Sequence, residues 1–442
     1  MRLVIDLQGS QGTSRWRGIG RYSRALALAM ARGRGAHDVW IALSESYAAE
    51  AEELRDAFAG VLPPDRVVTW KAPAGTAEEP PANDARRAAA ERLRAAFLAS
   101  LRPDLVHVSS LFEGFGEDVV TGVPDDTDLP PTVYTLYDLI PFLRQDTYLP
   151  SDRVRDWYFR RLLLLRRAAG LLAISESSRR EAIDHIGYPP DRVHNMLAGV
   201  APEFRLSGLG PGAKQALLAR YGLPDGFILC VGAVEQRKNV DGLIRAYALL
   251  PPALRARHKL VATGWNNSGD LDVLDRLAES LGLAPGDVLL LRRFVAEEDL
   301  PKLYEACAVF VLPSLHEGFG LPAAEAMACG APVLGSRATS IPEVVGRDDA
   351  LFDPKSPEDM AARMADVLTR PGFAADLRRH GLERSKLFTW EGTAGRAWRG
   401  LEAIHAAAGE APRDDDAPRR AAAAKAAMVE RISASVIARG TA

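Results

Sequence analysis

Cysteine is scarce in this chain, and several features that mark large classes of protein are missing. The 442 residues include three cysteines, Cys230, Cys307 and Cys329, all in apolar stretches and none in a C-x-x-C pair. This predicts buried thiols in a reducing compartment rather than disulfides. The sequence has no run of about 18 apolar residues, which argues against a membrane-spanning helix. The formal net charge is −3, so the chain lacks the basic excess of a nucleic-acid-binding protein.

The remaining composition is that of a folded chain large enough for two domains. Hydrophobic residues make up 47% of the sequence, which is enough for packed cores. The opening residues 1–6, M-R-L-V-I-D, predict a β-strand rather than a signal peptide. We therefore expect a cytoplasmic protein with no nucleic-acid partner. Any membrane contact is expected to be peripheral, at the inner face of the cytoplasmic membrane.

Residues 308–335, AVFVLPSLHEGFGLPAAEAMACGAPVLG, predict a strand, a loop, a helix and a second strand. The apolar run 308–312 is short enough for a strand buried on both faces. Pro322 suits the first turn of a helix and Gly330 suits a left-handed residue at its end, so a helix of about two turns is expected between them. The glycine-containing loop 316–320 therefore leads into a helix N-terminus.

Such a loop suits an anionic ligand, for which a diphosphate is the natural choice. Amides at the start of a helix lack intrahelical acceptors, and the helix dipole is positive there. Glu317 lies before the glycines and Glu325, eight positions later, is expected in the first helical turn. These carboxylates can accept hydrogen bonds from the hydroxyls of a sugar and a ribose. Alternatively, Glu325 complements the helix dipole and Glu317 is a solvated loop residue. The expected amide donors are Gly318, Phe319, Gly320 and Leu321.

A second loop, after the predicted strand 227–233, carries the cations Arg237 and Lys238. Two adjacent cations at the carboxyl edge of a parallel strand can neutralise a diphosphate. Taken alone, they are equally well explained as ordinary surface residues. Their position upstream of the Glu317 loop in the same predicted domain favours the phosphate interpretation.

The amino-terminal half predicts another parallel sheet, because strands and helices alternate along it. A loop over 8–20 that contains Gly18 and Gly20 precedes a helix expected over 21–31, an arrangement by which backbone approaches phosphate. His107 and Asp138 lie at or near the carboxyl ends of two other strands and are candidates for acceptor binding. His107, on an apolar strand, is alternatively a hydrogen-bonded core residue.

A helix expected over 152–169 carries large apolar side chains at positions 154, 157, 158, 162 and 165 among six arginines. Such a stripe packs on a sheet, or alternatively meets lipid headgroups or a charged glycan at the acceptor site. Aspartate clusters at 125–126 and 414–416 are interpreted as solvated rather than metal-binding.

Four segments resemble the retaining nucleotide-sugar glycosyltransferases of family four, which have the GT-B fold. They are RGIGRYS (17–23), VGAVEQRKN (231–239), LRRFVAEEDL (291–300) and HEGFGLPAAEAMACG (316–330). The resemblance covers nearly all of residues 1–405. It implies an α/β protein of two doubly wound Rossmann-like domains facing a central cleft, with a C-terminal helical extension, and no need for a metal or cofactor. The expected parts are an acceptor-side domain (1–205), a nucleotide-sugar-binding domain (206–385), a helix crossing back (386–408) and a charged linker with an amphipathic helical tail (409–442).

The resemblance also assigns roles. Arg237 and Lys238 would stabilise charge on the leaving diphosphate, and Glu317 would hold hydroxyls of the transferred sugar. Glu325 would hold the ribose. No side chain is assigned as a nucleophile, and a front-face mechanism in which the leaving phosphate helps deprotonate the acceptor is expected.

Other residues are placed by the same resemblance around the donor. Val295, with Phe294, would lie at the base, while Gly18 and Gly20 would approach the donor across the cleft. Tyr137 stands where many family members have a histidine that contacts the donor sugar. Tyrosine offers a hydroxyl but, with a pKa near 10, does not titrate near neutrality.

The expected activity is transfer of a sugar from a nucleotide-diphosphate donor to a glycan or lipid-linked acceptor with retention of configuration. The amino-terminal half is most similar to bacterial O-antigen and capsule enzymes, through the segments VIDLQGSQ (4–11), RGIGRYS (17–23) and YDLIP (137–141). This favours mannose from GDP-mannose in surface polysaccharide synthesis. The alternative donors are dTDP-rhamnose or a UDP-sugar. The alternative classes are a nucleotide-sugar epimerase or hydrolase, and a non-catalytic sugar-nucleotide sensor.

Overall fold

The computed structural model describes residues 1–124, 127, 129–264, 268–292 and 295–410, except for the side chains of 268–270 and 409–410. The chain divides into two compact units. The first unit comprises Met1–Ile174, Ser178–Met196 and the residues from Thr393 onward, and the second comprises Ser175–Ser177 and Leu197–Gly392. The predicted tail beyond residue 410, Phe294 and the two aspartate clusters lie outside the described residues.

The first unit is built on a parallel sheet that, within the described residues, has seven strands in the order β3-β2-β1-β4-β5-β6-β7. The strands are β1 (Arg2–Asp6), β2 (Asp38–Ser44), β3 (Val67–Trp70), β4 (Leu105–Val108), β5 (Thr132–Leu136), β6 (Gly170–Ala173) and β7 (Val193–Asn195). The helices are α1 (Gly18–Arg32), α2 (Ala48–Phe58), α3 (Asp84–Ser100), α4 (Ile140–Leu143), α5 (Gln145–Tyr148), α6 (Asp152–Arg167) and α7 (Glu176–Ile186).

The second unit repeats this design with a parallel sheet of six described strands in the order β10-β9-β8-β11-β12-β13. Its strands are β8 (Ile228–Val231), β9 (Leu260–Thr263), β10 (Val288–Leu290), β11 (Val309–Leu312), β12 (Val333–Ser336) and β13 (Leu351–Phe352). Its helices are α8 (Pro211–Tyr221), α9 (Val240–Ala248), α10 (Pro252–Arg257), α11 (Ser268–Ser280), α12 (Leu300–Ala306), α13 (Leu321–Ala328), α14 (Ile341–Val345), α15 (Pro357–Thr369) and α16 (Pro371–Ser385). The last described helix, α17, spans Trp390–Glu410.

Both sheets are doubly wound, which confirms the predicted α/β class with two Rossmann-like units. Each begins with a strand that lies inside the sheet, β1 or β8, and the strand order reverses there. The switch points lie between β1 and β4 in the first unit and between β8 and β11 in the second. In open parallel sheets, ligands bind outside the carboxyl ends of the strands at such points.

The apolar stripe of α6 is part of the core of the first unit, as the packing alternative predicts. Trp157, Tyr158, Leu162 and Leu165 are buried and belong to one cluster with residues of the sheet. The three cysteines are buried and unbridged, as expected. Among the described residues, we find no helix that combines the length and the apolar character needed to cross a membrane.

The expectation for α1 was wrong in one respect. The helix begins at Gly18, three residues before the predicted start, so Gly18 and Gly20 lie in its first turn and not in the preceding loop. A Cβ on Gly20 would lie 2.3 Å from the carbonyl oxygen of Ser14 and 2.4 Å from the Cα of Arg15. The close approach that Gly20 permits is therefore between this helix and the 3-10 turn Thr13–Trp16 of the same chain.

Candidate functional site

The loop between β11 and α13 has the predicted form, and its conformation depends on a glycine. Gly320 is the N-cap of α13 with a φ of +97°, a region that favours glycine. Pro322 has no amide hydrogen, and the amide of Ala323 bonds to the carbonyl of Gly320 at 3.0 Å. Amide donors for an anion are therefore expected from the turn at residues 318–321 rather than from deeper in the helix.

Glu317 lies at the centre of this site and is bonded to the two predicted cations. Its carboxylate accepts hydrogen bonds from Lys238 Nζ at 2.7 Å and from Arg237 Nη1 at 3.2 Å. Ser314 Oγ adds a third bond, at 2.7 Å. The structure thus brings together three candidate residues from two loops that are about 80 positions apart in the sequence.

The charge of this cluster is nearly balanced. Burial alone would raise the pKa of Glu317, but the charges of Lys238 and Arg237 and the hydrogen bonds to its carboxylate outweigh burial, so the pKa is lowered. Arg237 Nε also donates to Glu235 at 2.9 Å. A diphosphate binding here would have to share or replace these carboxylate contacts.

The loop that carries the two cations is fixed by Asn239. This residue has a φ of +55°, and its side-chain amide donates to the carbonyls of Pro313 at 3.0 Å and Pro354 at 2.8 Å. The backbone carbonyl of Arg237 also accepts from the amide of Leu315 at 2.7 Å. The loop after β8 is therefore tied to the loop after β11, which holds the ammonium of Lys238 beside Glu317.

The glycine turn is held by residues between β12 and α14. Ser340 Oγ lies 2.9 Å from the carbonyl oxygen of Glu317 and 2.8 Å from that of Phe319, within hydrogen-bond distance of both. Thr339 Oγ1 accepts from the amide of Glu317 at 3.0 Å. The Phe319 ring is buried edge-to-face against Phe388, with centroids 5.5 Å apart. The Phe319 side chain thus packs the turn against the rest of the unit. Only the backbone of Phe319 can offer a polar contact to a ligand.

Glu325 was predicted in the first turn of α13, and this was wrong. It is the fifth residue of the helix. The difference arises because α13 begins at Leu321, so that Pro322 is its second residue. Glu325 is half-buried, and its Oε2 accepts a hydrogen bond from the hydroxyl of Tyr304 at 3.2 Å. Burial raises the pKa of Tyr304 well above its usual value, so the hydroxyl stays protonated and can donate. Val295 lies after β10 and is half-buried.

The candidates in the first unit make interior contacts. His107 is buried on β4, where its Nε2 lies 2.9 Å from Thr135 Oγ1, and burial lowers its pKa to about 4. It is therefore neutral near pH 7, and its contacts are those of the core alternative. Asp138 Oδ1 accepts from the amide of Ile140 at 2.9 Å, which places this carboxylate at the start of α4.

Tyr137 is held by the segments on either side of the first switch point. Its hydroxyl lies 2.8 Å from Ser23 Oγ and 3.2 Å from the carbonyl oxygen of Ser109. Burial raises its pKa. The phenol is thus neutral and hydrogen-bonded to α1 and to the end of β4.

Sequence reasoning missed the residues that support the site rather than those at its centre. Asn239 is the last residue of the segment VGAVEQRKN, but the sequence gave no reason to assign it a role. Its left-handed conformation is common for asparagine and was not predicted. Ser314 and Tyr304 were missed because a serine before a loop and a tyrosine on the buried face of a short helix are ordinary residues. Their hydrogen bonds become visible only in the folded chain.

Comparisons with known proteins agree with the resemblance in the sequence. A family model described as Glycosyltransferase Family 4 matches residues 16–204, and one described as Glycosyl transferases group 1 matches residues 220–384. Together they cover most of both units.

Two relatives come from Escherichia coli. The serotype-specific mannosyltransferase WbdA is 38% identical over 402 residues, which is 91% of this chain and 48% of that protein. The O-antigen chain mannosyltransferase B is 37% identical over 266 residues, which is 60% of this chain and 68% of that protein. The chain thus spans about half the length of the WbdA relatives that it matches.

Solved structures agree on the fold. Anabaena Alr3699/HepE in complex with UDP and glucose superposes with a TM-score of 0.63 at 17% identity, covering 91% of this chain and all of that one. The lipopolysaccharide glycosyltransferase WaaG superposes with a TM-score of 0.60 at 18% identity, covering 90% of this chain and 98% of that one. At such identities the likeness shows the fold alone.

Proposed function

Because the chain belongs to the family 4 glycosyltransferases, we propose that it transfers mannose from GDP-mannose to a glycan or lipid-linked acceptor, with retention of configuration, in surface polysaccharide synthesis. The observation that carries this proposal is the cluster of Arg237, Lys238 and Glu317 beside the glycine turn of α13. It lies at the switch point of a doubly wound sheet, where a nucleotide ligand is expected.

The chemistry of this cluster suits a leaving diphosphate. An ammonium has three N–H donors, so Lys238 can donate to phosphate oxygens while bonded to Glu317, and Arg237 adds a second positive charge beside it. As the bond to the sugar breaks, negative charge grows on the diphosphate. Cations that are already held in place stabilise this charge without reorganisation, which is the main way in which an enzyme lowers such a barrier.

Glu317 has two functions in this proposal. It orients the two cations, as its hydrogen bonds indicate, and its carboxylate offers a remaining acceptor position for a hydroxyl of the transferred sugar. Glu325, held by Tyr304, accepts from the ribose. The leaving phosphate assists deprotonation of the acceptor hydroxyl, so no side-chain nucleophile is needed.

The choice of mannose rests on the relatives. Both the WbdA protein and the O-antigen chain mannosyltransferase B are named for transfer of mannose, and they are 37–38% identical to this chain. We extend this donor to the present chain and assign it no metal or other cofactor. We further propose that the protein works in the cytoplasm and meets the membrane only at its inner face, where a lipid-linked acceptor would be found.

The donor is tested by a panel of GDP-mannose, UDP-glucose and dTDP-rhamnose. We expect GDP-mannose to raise the melting temperature, since a ligand bound by the native state alone stabilises it. With a mannose oligosaccharide as acceptor, we expect a product whose new bond keeps the α configuration of the donor, as read by NMR. Tight binding of UDP or dTDP without binding of GDP would contradict the donor.

The same experiment separates the alternative classes. Consumption of donor at an equal rate with and without acceptor indicates a hydrolase or epimerase. Binding by calorimetry without turnover of any donor indicates a sensor. Only acceptor-dependent product supports the proposed transfer.

Replacing Tyr304 with phenylalanine tests the role assigned to Glu325. The variant keeps the buried ring and removes the hydroxyl that holds this carboxylate. We expect the KM for GDP-mannose to rise about 2- to 12-fold, the range for loss of one hydrogen bond of ordinary strength, with a smaller change in kcat. Tyr221→Phe is the matched control, because Tyr221 donates to the buried Asp299 at 3.0 Å in the same unit. An unchanged KM in Tyr304→Phe would remove Tyr304 from the site.

A further inference from the structure

A seven-residue segment of the second-unit site has a near copy in the first unit, identical at six of the seven positions. Residues 110–116 are S-L-F-E-G-F-G and residues 314–320 are S-L-H-E-G-F-G. The first copy follows β4 and the second follows β11, the strands that lie beside β1 and β8 at the two switch points. In each copy the serine hydroxyl donates to the glutamate three residues later, with an Oγ–Oε1 distance of 2.7 Å. The same serine–glutamate hydrogen bond thus lies at the ligand-binding position of both sheets.

The two glutamates are equally buried but differ in their partners. Both Glu113 and Glu317 are 6% exposed. Glu317 is bonded to two cations, whereas Glu113 is bonded to the hydroxyls of Ser110 at 2.7 Å and Ser14 at 2.8 Å. Hydroxyls partner a carboxylate without neutralising it, and they are the groups that a sugar presents. The first copy is therefore suited to a neutral polyhydroxyl ligand rather than to a phosphate.

The other carboxylates of this loop hold the backbone. Glu117 Oε2 accepts from the amide of Thr13 at 2.7 Å. Asp118 accepts from three successive amides, those of Gly75, Thr76 and Ala77, at 2.7–3.0 Å. Glu113 differs from both because its partners are side-chain hydroxyls.

An exposed aromatic ring lies in the turn that contacts Glu113. Trp16 is 67% exposed, more than any other large hydrophobic residue among those described, and follows Ser14 by two positions. The ring is held in place, because the Cζ of Arg15 lies 4.3 Å from its centroid and Arg15 Nη1 bonds to Glu50 at 2.7 Å. A fixed, exposed indole loses little entropy on binding and offers an apolar face to the C–H groups of a sugar ring.

We propose that Trp16 and Glu113 form a sugar-binding subsite of the first unit, in which one pyranose ring of the acceptor glycan stacks on Trp16 and one of its hydroxyls donates a hydrogen bond to Glu113. This subsite rests on the proposed glycosyl transfer. It adds specificity residues on the acceptor side, where His107 and Asp138 are engaged in contacts within the chain.

The protonation of Glu113 gives the subsite a pH dependence. Burial raises the pKa of Glu113 to about 7, and the charge of Glu117 adds to this. The hydroxyls of Ser110 and Ser14 and the charge of Arg17 act in the opposite direction. The charge of Glu113 in turn adds to the effect of burial on Tyr137, whose pKa is also raised. Glu113 therefore gains its full charge, and its best capacity to accept a hydrogen bond, as the pH rises through about 7.

The test uses the full chain with GDP-mannose and a mannose oligosaccharide as acceptor. We expect Trp16→Ala to raise the acceptor KM about 10-fold or more, because the indole ring becomes buried when the sugar stacks on it. Trp16→Phe keeps an aromatic ring and should keep most of the affinity. Glu113→Gln is expected to raise the acceptor KM about 3- to 30-fold. The KM for GDP-mannose should stay within about twofold in all three variants, since the donor contacts are unchanged.

The two controls alter side chains of the same kinds elsewhere in the first unit. Leu93→Ala removes another exposed apolar side chain of the first unit, and Glu402→Gln alters another hydrogen-bonded carboxylate, which contacts His37. Both should leave the acceptor KM unchanged. In the wild type, the acceptor KM should fall between roughly pH 6 and 8, whereas in Glu113→Gln it should be flat. A merely structural Glu113 would not produce this difference.

An acceptor KM within twofold of wild type in both Trp16→Ala and Glu113→Gln overturns the subsite. If Glu113→Gln does not fold, the acceptor KM of Trp16→Ala still tests the subsite, because Trp16 is exposed and its replacement leaves the core intact. If the wild type transfers no sugar from any donor, the proposed function fails, and binding of the oligosaccharide alone is followed by saturation-transfer NMR. Signals from the wild type that are lost in Trp16→Ala support the subsite, and equal or absent signals from both proteins overturn it.

Discussion

Replacing Lys238 with alanine is expected to lower kcat for transfer from GDP-mannose by about 10²- to 10³-fold, the effect of removing one preorganised group that stabilises charge in a transition state. The ammonium of Lys238 is held 2.7 Å from Glu317 and its side chain is only 14% exposed. Water therefore cannot easily replace it. Steady-state kinetics with saturating acceptor, together with calorimetry of GDP binding, measures the effect.

This variant also leaves Glu317 with one cation fewer, which by itself can destabilise the fold. The double variant Lys238→Ala/Glu317→Gln removes that unpaired charge. If charge on the diphosphate is what Lys238 stabilises, the double variant regains melting temperature but not activity. Recovery of activity would instead indicate that Lys238 only holds Glu317 in place.

Lys302→Ala is the matched control for Lys238. Lys302 Nζ bonds to the buried Asp299 at 3.0 Å in the same unit, so this variant also removes a lysine from a buried carboxylate. We expect its kcat to stay within about twofold of wild type, because Asp299 keeps its bonds to Arg220 and Tyr221. Near wild-type turnover in Lys238→Ala, with unchanged donor affinity, would contradict the phosphate assignment.

Replacing Glu317 with alanine is expected to reduce sugar transfer about 10²-fold or more while leaving the affinity for GDP equal or higher. The carboxylate orients both cations and, in the proposed function, accepts a hydroxyl of the sugar, so its loss affects the transition state. Bare GDP carries no sugar and meets a more positive site once the carboxylate is removed. The product of kcat/KM and the GDP dissociation constant is the quantity to compare between variant and wild type, because it falls only when transfer is impaired more than GDP affinity.

One further variant and one control test the role of Glu317. Ser314→Ala removes the hydroxyl that bonds to Glu317 at 2.7 Å and should cost about 3- to 10-fold in kcat. Glu305→Gln is the control, since Glu305 accepts from Ser207 Oγ at 2.6 Å in the same unit but outside the proposed site. Equal losses of GDP affinity and of transfer in Glu317→Ala would assign this glutamate to the fold rather than to the sugar.

Much of the second-unit site could be predicted because its signals are local. Pro322 and Gly330 mark the ends of α13 closely, since the observed helix Leu321–Ala328 begins one residue before Pro322 and ends two residues before Gly330. Short apolar runs alternating with helices predicted both parallel sheets, since strands buried on two faces need apolar residues throughout. The rule that ligands bind at the carboxyl edge then placed Arg237, Lys238 and Glu317 at one edge before any distance was known.

What could not be predicted depends on packing between distant segments. The start of α1 was placed too late because nothing local shows that Gly20 must accommodate the backbone of Ser14 and Arg15. The partner of Glu325 was not predicted for the same reason, because Tyr304 comes from another helix. Such contacts depend on how elements meet, which helix and strand periodicity does not encode.

The two copies of S-L-x-E-G-F-G separate what the local sequence determines from what the tertiary structure determines. The sequence by itself determined the local serine–glutamate contact, because a serine three residues before a glutamate forms the same 2.7 Å hydrogen bond in both units. Only the tertiary structure decided the charge that each glutamate meets. The loop after β8 brings Arg237 and Lys238 to Glu317, whereas the loop after β1 brings Ser14 to Glu113. The pKa of Glu317 is therefore lowered and that of Glu113 is raised, since a buried carboxylate is governed by the partners that folding places beside it.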